Sequence, residues 1–197
     1  MKTSSIAIIL CILFVGCTSE DKHADEQPPL AKKINTNIQA ENISSDFDFL
    51  LGEWDVISKR RKKWLVNNDE WIPAEATCKV WKQLGGMLVM DEFHNTRNGK
   101  EQVSSTLRIY NPNKKEWTLY WLSTAFPNLG LMPQVKGSFK NGTGRFFGEE
   151  DFNGKKVKLR FLWKISENGT PHWEQAYFDK KNNEWETNWI MDFTKKK

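Results

Sequence analysis

The residues best suited to chemistry in this sequence alternate with aromatic side chains in its last two strand-like runs. Residues 173–177 read WEQAY, and residues 185–189 read WETNW. A carboxylate held among indole rings, such as Glu174, can have a raised pKa and act as a general acid or base. Arg160 could pair with it and orient a carboxylate or hydroxyl of a bound molecule. These two residues are the candidate catalytic pair.

The alternation of side chains along a strand bears on where this pair lies. Arg160, Glu174 and Asn188 fall opposite the main apolar rows, which indicates an outer sheet face with cross-strand charge and amide pairing. A barrel with a polar interior would instead turn them toward a ligand, and both readings stay open. The same alternation assigns Trp185 and Trp189 to one buried face.

Aromatic and amide side chains of the same region are candidate ligand-binding residues. Indole rings are large, and they can line a cavity wall while keeping a polar N–H satisfied. This composition predicts a pocket for a small hydrophobic or aromatic molecule. The candidates are Trp121, Phe161, Trp163, Trp173, Gln175, Tyr177, Asn188 and Trp189.

No motif points to a cofactor or a metal ion, and we predict neither. Glu92 and His94 share one strand face, but a metal site needs a third ligand from elsewhere. His172 is the one late-strand histidine that could serve heme, and it lies beside a turn. Cys78 stands alone on a strand face without a His/Asp arrangement, which indicates a buried, inert thiol.

The elements that must position these residues are strands. A two-residue hydrophobic period runs through nearly all of the chain after residue 45, and Asn-Gly pairs at 141–142 and 153–154 mark tight hairpin turns. We predict an all-β fold of about nine or ten antiparallel strands. They would form an up-and-down barrel, because closure removes exposed edges. A short helix could precede it, near residues 45–51.

Several stretches carry a family resemblance. Gly52-Glu53-Trp54 is similar to the first-strand signature of calycins, the lipocalin and fatty-acid-binding superfamily. Together with residues 106–111, 117–121, 160–163, 173–177 and 185–189, the chain resembles the bacterial domain-of-unknown-function family 1579 over residues 46–193. The resemblance implies a calycin-like barrel and no particular activity.

Residues 1–16 predict a secretory signal peptide. Lys2 gives a positive start, and the apolar residues 6–15 are fewer than the roughly 20 that span a bilayer. Gly16-Cys17 resembles the end of a bacterial lipobox, which implies cleavage before Cys17 and lipidation of that cysteine. An ordinary signal peptide or an N-terminal anchor is the alternative.

The remaining chain divides into a tether and one domain. Residues 17–45 are polar and lack a hydrophobic period, which predicts a flexible tether after the lipidated cysteine. Residues 46–197 suffice for one barrel with its own core. Residues 18–21 resemble an acidic tract that directs some lipoproteins outward. This implies a lipid-anchored location in the cell envelope, at the outer membrane or cell surface rather than the inner membrane.

The net charge of the chain does not favour a polyanionic partner such as nucleic acid. The net charge of +4 is small for 197 residues. The basic run 59–63 could bind nucleic acid or anionic glycans, but we interpret it as a solvated hairpin tip. An extracytoplasmic domain also has no nucleic acid to meet.

Three classes of function follow from these observations. The absence of a nucleophile or metal set favours a lipid-anchored binding module for a small hydrophobic molecule. The first alternative is a cavity enzyme of the lyase or isomerase type that uses Glu174 and Arg160. The second is a glycan-contact or protein-contact module, which requires coplanar and exposed tryptophans.

Overall fold

The computed structural model describes residues 43–197, except for residues 129 and 133. The predicted signal peptide, Cys17 and most of the predicted tether lie outside the described residues. No helix in the described part is long and apolar enough to cross a membrane.

The described residues form an antiparallel up-and-down β-barrel of ten strands, which confirms the predicted fold class. Every strand pairs with its neighbour in sequence, and the first strand pairs with the last, so the sheet is closed. Two 3₁₀ helices, Asp48–Leu50 and Leu84–Gly86, flank the first two strands. The strands are β1 (Gly52–Arg61), β2 (Trp71–Gln83), β3 (Leu88–Arg97), β4 (Lys100–Asn111), β5 (Glu116–Ser123), β6 (Gln134–Lys140), β7 (Thr143–Phe152), β8 (Lys155–Ile165), β9 (Pro171–Asp179) and β10 (Glu184–Lys195).

Asn-Gly pairs make the tightest turns, as the sequence predicts. Asn141 and Gly142 have φ angles of 52° and 73°, and Asn153 and Gly154 have φ angles of 51° and 74°. A type I′ turn requires positive φ at both central residues, and Asn followed by Gly adopts this at the least steric cost. These turns join β6 to β7 and β7 to β8.

The segment before β1 plugs one end of the barrel. Phe47 and Leu50 are fully buried, and the Phe47 ring packs edge-to-face on Trp117 with centroids 5.0 Å apart. Trp54 Nε1 donates a hydrogen bond to the carbonyl oxygen of Leu50 at 2.7 Å, which ties the plug to β1. The short helix expected near residues 45–51 is therefore the 3₁₀ helix Asp48–Leu50.

The opposite end of the barrel is open. Because β1 starts at the plug and successive strands are antiparallel, β1 reaches the open end at Arg61. The connections β1–β2, β3–β4, β5–β6, β7–β8 and β9–β10 lie at this end as well. Loops at the open end therefore control access to the interior.

A β-bulge in β10 changes which side chains face the interior, so the faces differ from those that the sequence predicts. The register with β9 shifts between Thr187 and Trp189, so Asn188 is an extra residue in the strand. The predicted shared face of Trp185 and Trp189 is therefore wrong. Trp185 packs outside the barrel on Phe178, with ring centroids 5.3 Å apart, whereas Trp189 faces the interior.

Candidate functional site

The interior of the barrel holds a cavity of about 340 Å³. It lies between the plug and the open end, and side chains from most of the strands line it. Seven of the eight candidate ligand-binding residues are among its walls: Trp121, Phe161, Trp163, Trp173, Gln175, Tyr177 and Trp189.

The eighth candidate, Asn188, supports the wall from behind. Its side chain is fully buried, and its Oδ1 accepts a hydrogen bond from Gln175 Nε2 at 3.0 Å. Strand parity placed Asn188 outside, and this is wrong because the bulge inserts it into the buried layer. The contact fixes the amide orientation of Gln175, one of the few polar groups on the wall.

The aromatic wall is interlocked. The Trp173 ring lies 5.0 Å from Phe161 and 5.0 Å from Trp189, at interplanar angles of 63° and 89°. Edge-to-face arrangements of this kind are favourable beyond the burial of apolar area. Trp163 and Trp173 are buried, so these rings form no coplanar exposed platform for a sugar.

A buried ion pair forms the floor of the cavity, near the plug. Arg108 and Asp91 are 2% and 5% exposed, and Arg108 Nη2 donates to Asp91 Oδ2 at 2.5 Å. The Arg108 guanidinium carbon also lies 5.3 Å from the centre of the Phe47 ring. The sequence reasoning missed this pair, although one charged residue inside the apolar row of β3 is a signal for a buried partner.

The thiol of Cys78 faces the same cavity. It is buried at 4% exposure, on the β2 face that packs toward Asp91. Burial raises the pKa of the thiol, and the negative charge of Asp91 raises it further. Cys78 is therefore a protonated wall residue in the neutral pH range, as the sequence indicates.

Two arginines and an aromatic cluster surround the entrance. Arg60 and Arg97 line the cavity at its open end. The Arg60 guanidinium lies 3.3 Å from the centre of the Trp189 ring. Trp64, from the β1–β2 connection, stacks on Phe152 with ring centroids 5.6 Å apart and partly covers the opening.

A carboxyl and a phenol pair near the entrance. The Tyr177 hydroxyl donates a short hydrogen bond to Glu150 Oε1. Burial raises the pKa of the Glu150 carboxyl. Burial is also the main cause of the raised pKa of the Tyr177 hydroxyl, and the negative charge of Glu150 raises this pKa further. The sequence reasoning did not single out Glu150, although it shares the inward face of β7 with Phe146 and Phe152.

The candidate catalytic pair lies on the outer face of the barrel and not in the cavity. Glu174 Oε1 is 3.0 Å from His172 Nε2 and 3.4 Å from Lys164 Nζ. The hydrogen bond from His172 is the main reason that the pKa of Glu174 falls to about 2, opposite to the rise that acid catalysis requires. Arg160 instead stacks over Trp185 at 5.0 Å.

The two histidines of the described residues, His94 and His172, also lie outside the cavity. His172 Nδ1 is 2.6 Å from Asp192 Oδ1, and His94 Nε2 is 2.6 Å from Glu92 Oε1. Within residues 43–197, leaving aside 129 and 133, no group of three or more His, Cys, Asp or Glu side chains is arranged to hold a metal ion. Both histidines act as bridges between surface carboxylates.

Comparison with models of protein families and with curated protein sequences finds no match for this chain. The barrel and its cavity are therefore the basis for assigning a function. The resemblance to domain-of-unknown-function family 1579 stays a prediction from the sequence.

Proposed function

We propose that this protein is a lipid-anchored envelope protein whose barrel binds a small hydrophobic or aromatic molecule. The observation that carries the proposal is the aromatic cavity of about 340 Å³ inside the barrel. Ligand pockets in proteins range from about 300 to 1,000 Å³ and are mostly apolar with a few placed polar groups. The cavity meets both conditions.

Uncharged polar groups on the wall include one amide that a hydrogen bond holds in place. Gln175 is held by Asn188, and the cavity-lining Ser104 and Thr106 belong to β4. An amide that is already held in place, such as that of Gln175, can orient a ligand without an additional ordering cost when the ligand binds. The apolar rings would supply most of the affinity, and these groups would supply the orientation.

An enzymatic role for Glu174 and Arg160 has no support from this geometry. Both side chains lie outside the cavity, and Glu174 is engaged with His172 and Lys164. A binding module therefore remains the function that the site supports best.

Fluorescence of the neutral probe N-phenyl-1-naphthylamine tests the proposal. The protein should bind one probe molecule with a saturable increase in emission. Ser104→Phe places a ring in the cavity and should abolish this signal, whereas Ser138→Phe adds the same ring to the exposed face of β6 and should not. A probe signal that Ser104→Phe leaves unchanged in a folded protein would contradict binding inside the barrel.

The lipid anchor is the second part of the proposal, and the sequence around Cys17 supports it. Cys17→Ser should move the protein from the membrane fraction to the soluble fraction of the producing cell. Cys78→Ser removes a different thiol and should leave the distribution unchanged. Membrane association that survives Cys17→Ser would exclude lipidation as the anchor.

A further inference from the structure

We propose that the ligand is an anionic amphiphile whose carboxylate, sulfonate or phosphate group binds between Arg60 and Arg97, with its apolar body in the aromatic cavity. This inference rests on the proposed function, because it assigns the ligand class of the same site. It depends on the placement of two arginines at the entrance and on the charges around them.

Arg60 and Arg97 face the same opening from two sides of β2. Arg60 is the fourth inward residue of β1, after Trp54, Val56 and Ser58, and Arg97 ends the inward row of β3. Both residues line the main cavity and also the groove beside it. An anion at the mouth can therefore meet both guanidinium groups.

Neither arginine is neutralised by a carboxylate among the described residues. The neighbouring cations do have such partners: Arg61 Nη1 lies 2.8 Å from Asp69 Oδ1, and Lys62 Nζ lies 2.9 Å from Glu70 Oε1. Arg60 instead has its contact with the Trp189 ring. The basic run that the sequence suggested as a solvated tip thus contains one arginine turned into the cavity.

The acidic residues at the mouth are engaged elsewhere. Glu150 accepts the hydrogen bond of Tyr177, and Asp151 Oδ2 lies 2.8 Å from Lys156 Nζ. Deeper in the cavity, Arg108 is already paired with Asp91. The floor is therefore neutral, and the unpaired positive charge is concentrated at the entrance.

Physical chemistry makes this pair of cations receptive to an anion. Burial, together with the positive charge of Arg97, lowers the pKa of Arg60 to about 10, so the guanidinium is still charged at neutral pH but destabilised. A bound anion would relieve the repulsion, and guanidinium groups bind carboxylate and phosphate with paired hydrogen bonds. The Trp189 ring holds Arg60 toward the cavity.

Two probes with the same aromatic body separate this inference from the proposed function. N-phenyl-1-naphthylamine is neutral, and 1-anilinonaphthalene-8-sulfonate adds one anionic group to the same rings. We expect the wild-type protein to bind the sulfonate about tenfold more tightly, in line with the strength of charge-assisted hydrogen bonds. Arg60→Gln and Arg97→Gln should each remove most of this preference and change binding of the neutral probe by less than about twofold.

Arg145→Gln is the matched control, because it removes one positive charge from the exposed outer face of β7. It should leave both affinities unchanged. Arg97 is exposed, so its variant tests the inference even if Arg60→Gln does not fold. Inorganic phosphate at equal concentration should fail to displace the sulfonate probe, since it lacks the apolar body.

The outcomes are distinct. Equal affinity for the two probes, an Arg145→Gln effect equal to that of Arg97→Gln, or displacement by phosphate alone would overturn the anionic-amphiphile inference while leaving the cavity proposal in place. Failure of the neutral probe to bind, or its indifference to Ser104→Phe, would instead overturn the proposed function.

Discussion

Arg108 Nη2 donates a hydrogen bond to Asp91 Oδ2 at 2.5 Å, and this bond joins neighbouring strands β4 and β3 at the cavity floor. Asp91 Oδ1 also accepts a hydrogen bond from the backbone N–H of Thr106 at 2.8 Å. A buried ion pair is often no more stabilising than apolar residues of the same volume, but removal of one partner leaves an uncompensated charge. The pair is therefore a sensitive point of the fold.

Asp91→Ala should lower the free energy of unfolding by about 3–5 kcal/mol, because it leaves the Arg108 charge buried without a partner. The double variant Asp91→Leu/Arg108→Met should recover most of this loss. Urea denaturation followed by tryptophan fluorescence measures both values. A loss below about 1 kcal/mol for Asp91→Ala would mean that water reaches the Arg108 guanidinium.

Trp64→Ala should accelerate both the entry and the release of N-phenyl-1-naphthylamine. Trp64 covers part of the opening through its contacts with Phe152 and Tyr177, so its removal widens the path more than it changes the walls. Stopped-flow fluorescence gives both rate constants. Trp81→Ala, on the outer face near the plugged end, should leave the rates at their wild-type values.

Cys78 should react slowly with iodoacetamide in the folded protein and rapidly in urea. Its pKa is raised by burial, so little thiolate exists at neutral pH, and access is limited to the cavity. Mass spectrometry of the peptide that contains Cys78 follows the modification. A Ser138→Cys variant provides an exposed thiol that should react at the rate of a free cysteine.

The surface cluster of His172, Glu174 and Asp192 should make stability depend on pH. The hydrogen bond to Glu174 is the main cause of the raised pKa of His172, so its stabilisation is present below the unfolded value of 6.5 and is lost as the pH rises through the folded pKa. The lowered pKa of Glu174, about 2, contributes stability above its unfolded value of 4.5, and this is lost as the pH falls toward 2. Both contributions are therefore present between about pH 4.5 and 6.5.

Thermal unfolding across this range tests the cluster. The difference in Tm between wild type and His172→Gln should be largest between about pH 4.5 and 6.5 and should shrink at neutral and alkaline pH. His94→Gln, which removes a more exposed histidine beside Glu92 and Glu101, should have a smaller effect because solvent screens those charges. A difference that grows with rising pH would contradict the proposed protonation of His172.

The regular parts of the barrel could be predicted from local sequence. Leu159, Phe161 and Trp163 alternate with Arg160 and Leu162 along β8, and the first three face the interior. This works because the side-chain period of an uninterrupted strand is two, so a few apolar residues determine the face of all the others. The Asn-Gly turns could be predicted for a similar reason, since the backbone preference of these two residues is local.

The charged groups of the site could not be predicted in the same way. Asp91 and Arg108 are 17 positions apart, and they meet because of the β3–β4 register, which the sequence does not reveal. The inward position of Arg60 was accessible in principle, because it continues the alternation of Trp54, Val56 and Ser58. Its place within a dense basic run concealed that pattern.

The β-bulge at Asn188 shifts the alternation of side chains along β10, so the odd-numbered aromatic residues of this strand lie on both faces of the sheet. Trp185 belongs to an outward aromatic cluster, whereas Trp189 and Phe193 complete the wall of the cavity. Regular pairing through Asn188, without the bulge, would exchange the two sides of every residue that follows and would turn Ile190 and Asp192 inward. The bulge at Asn188, as much as the composition of β10, thus determines whether the barrel has a hollow that can accept a guest.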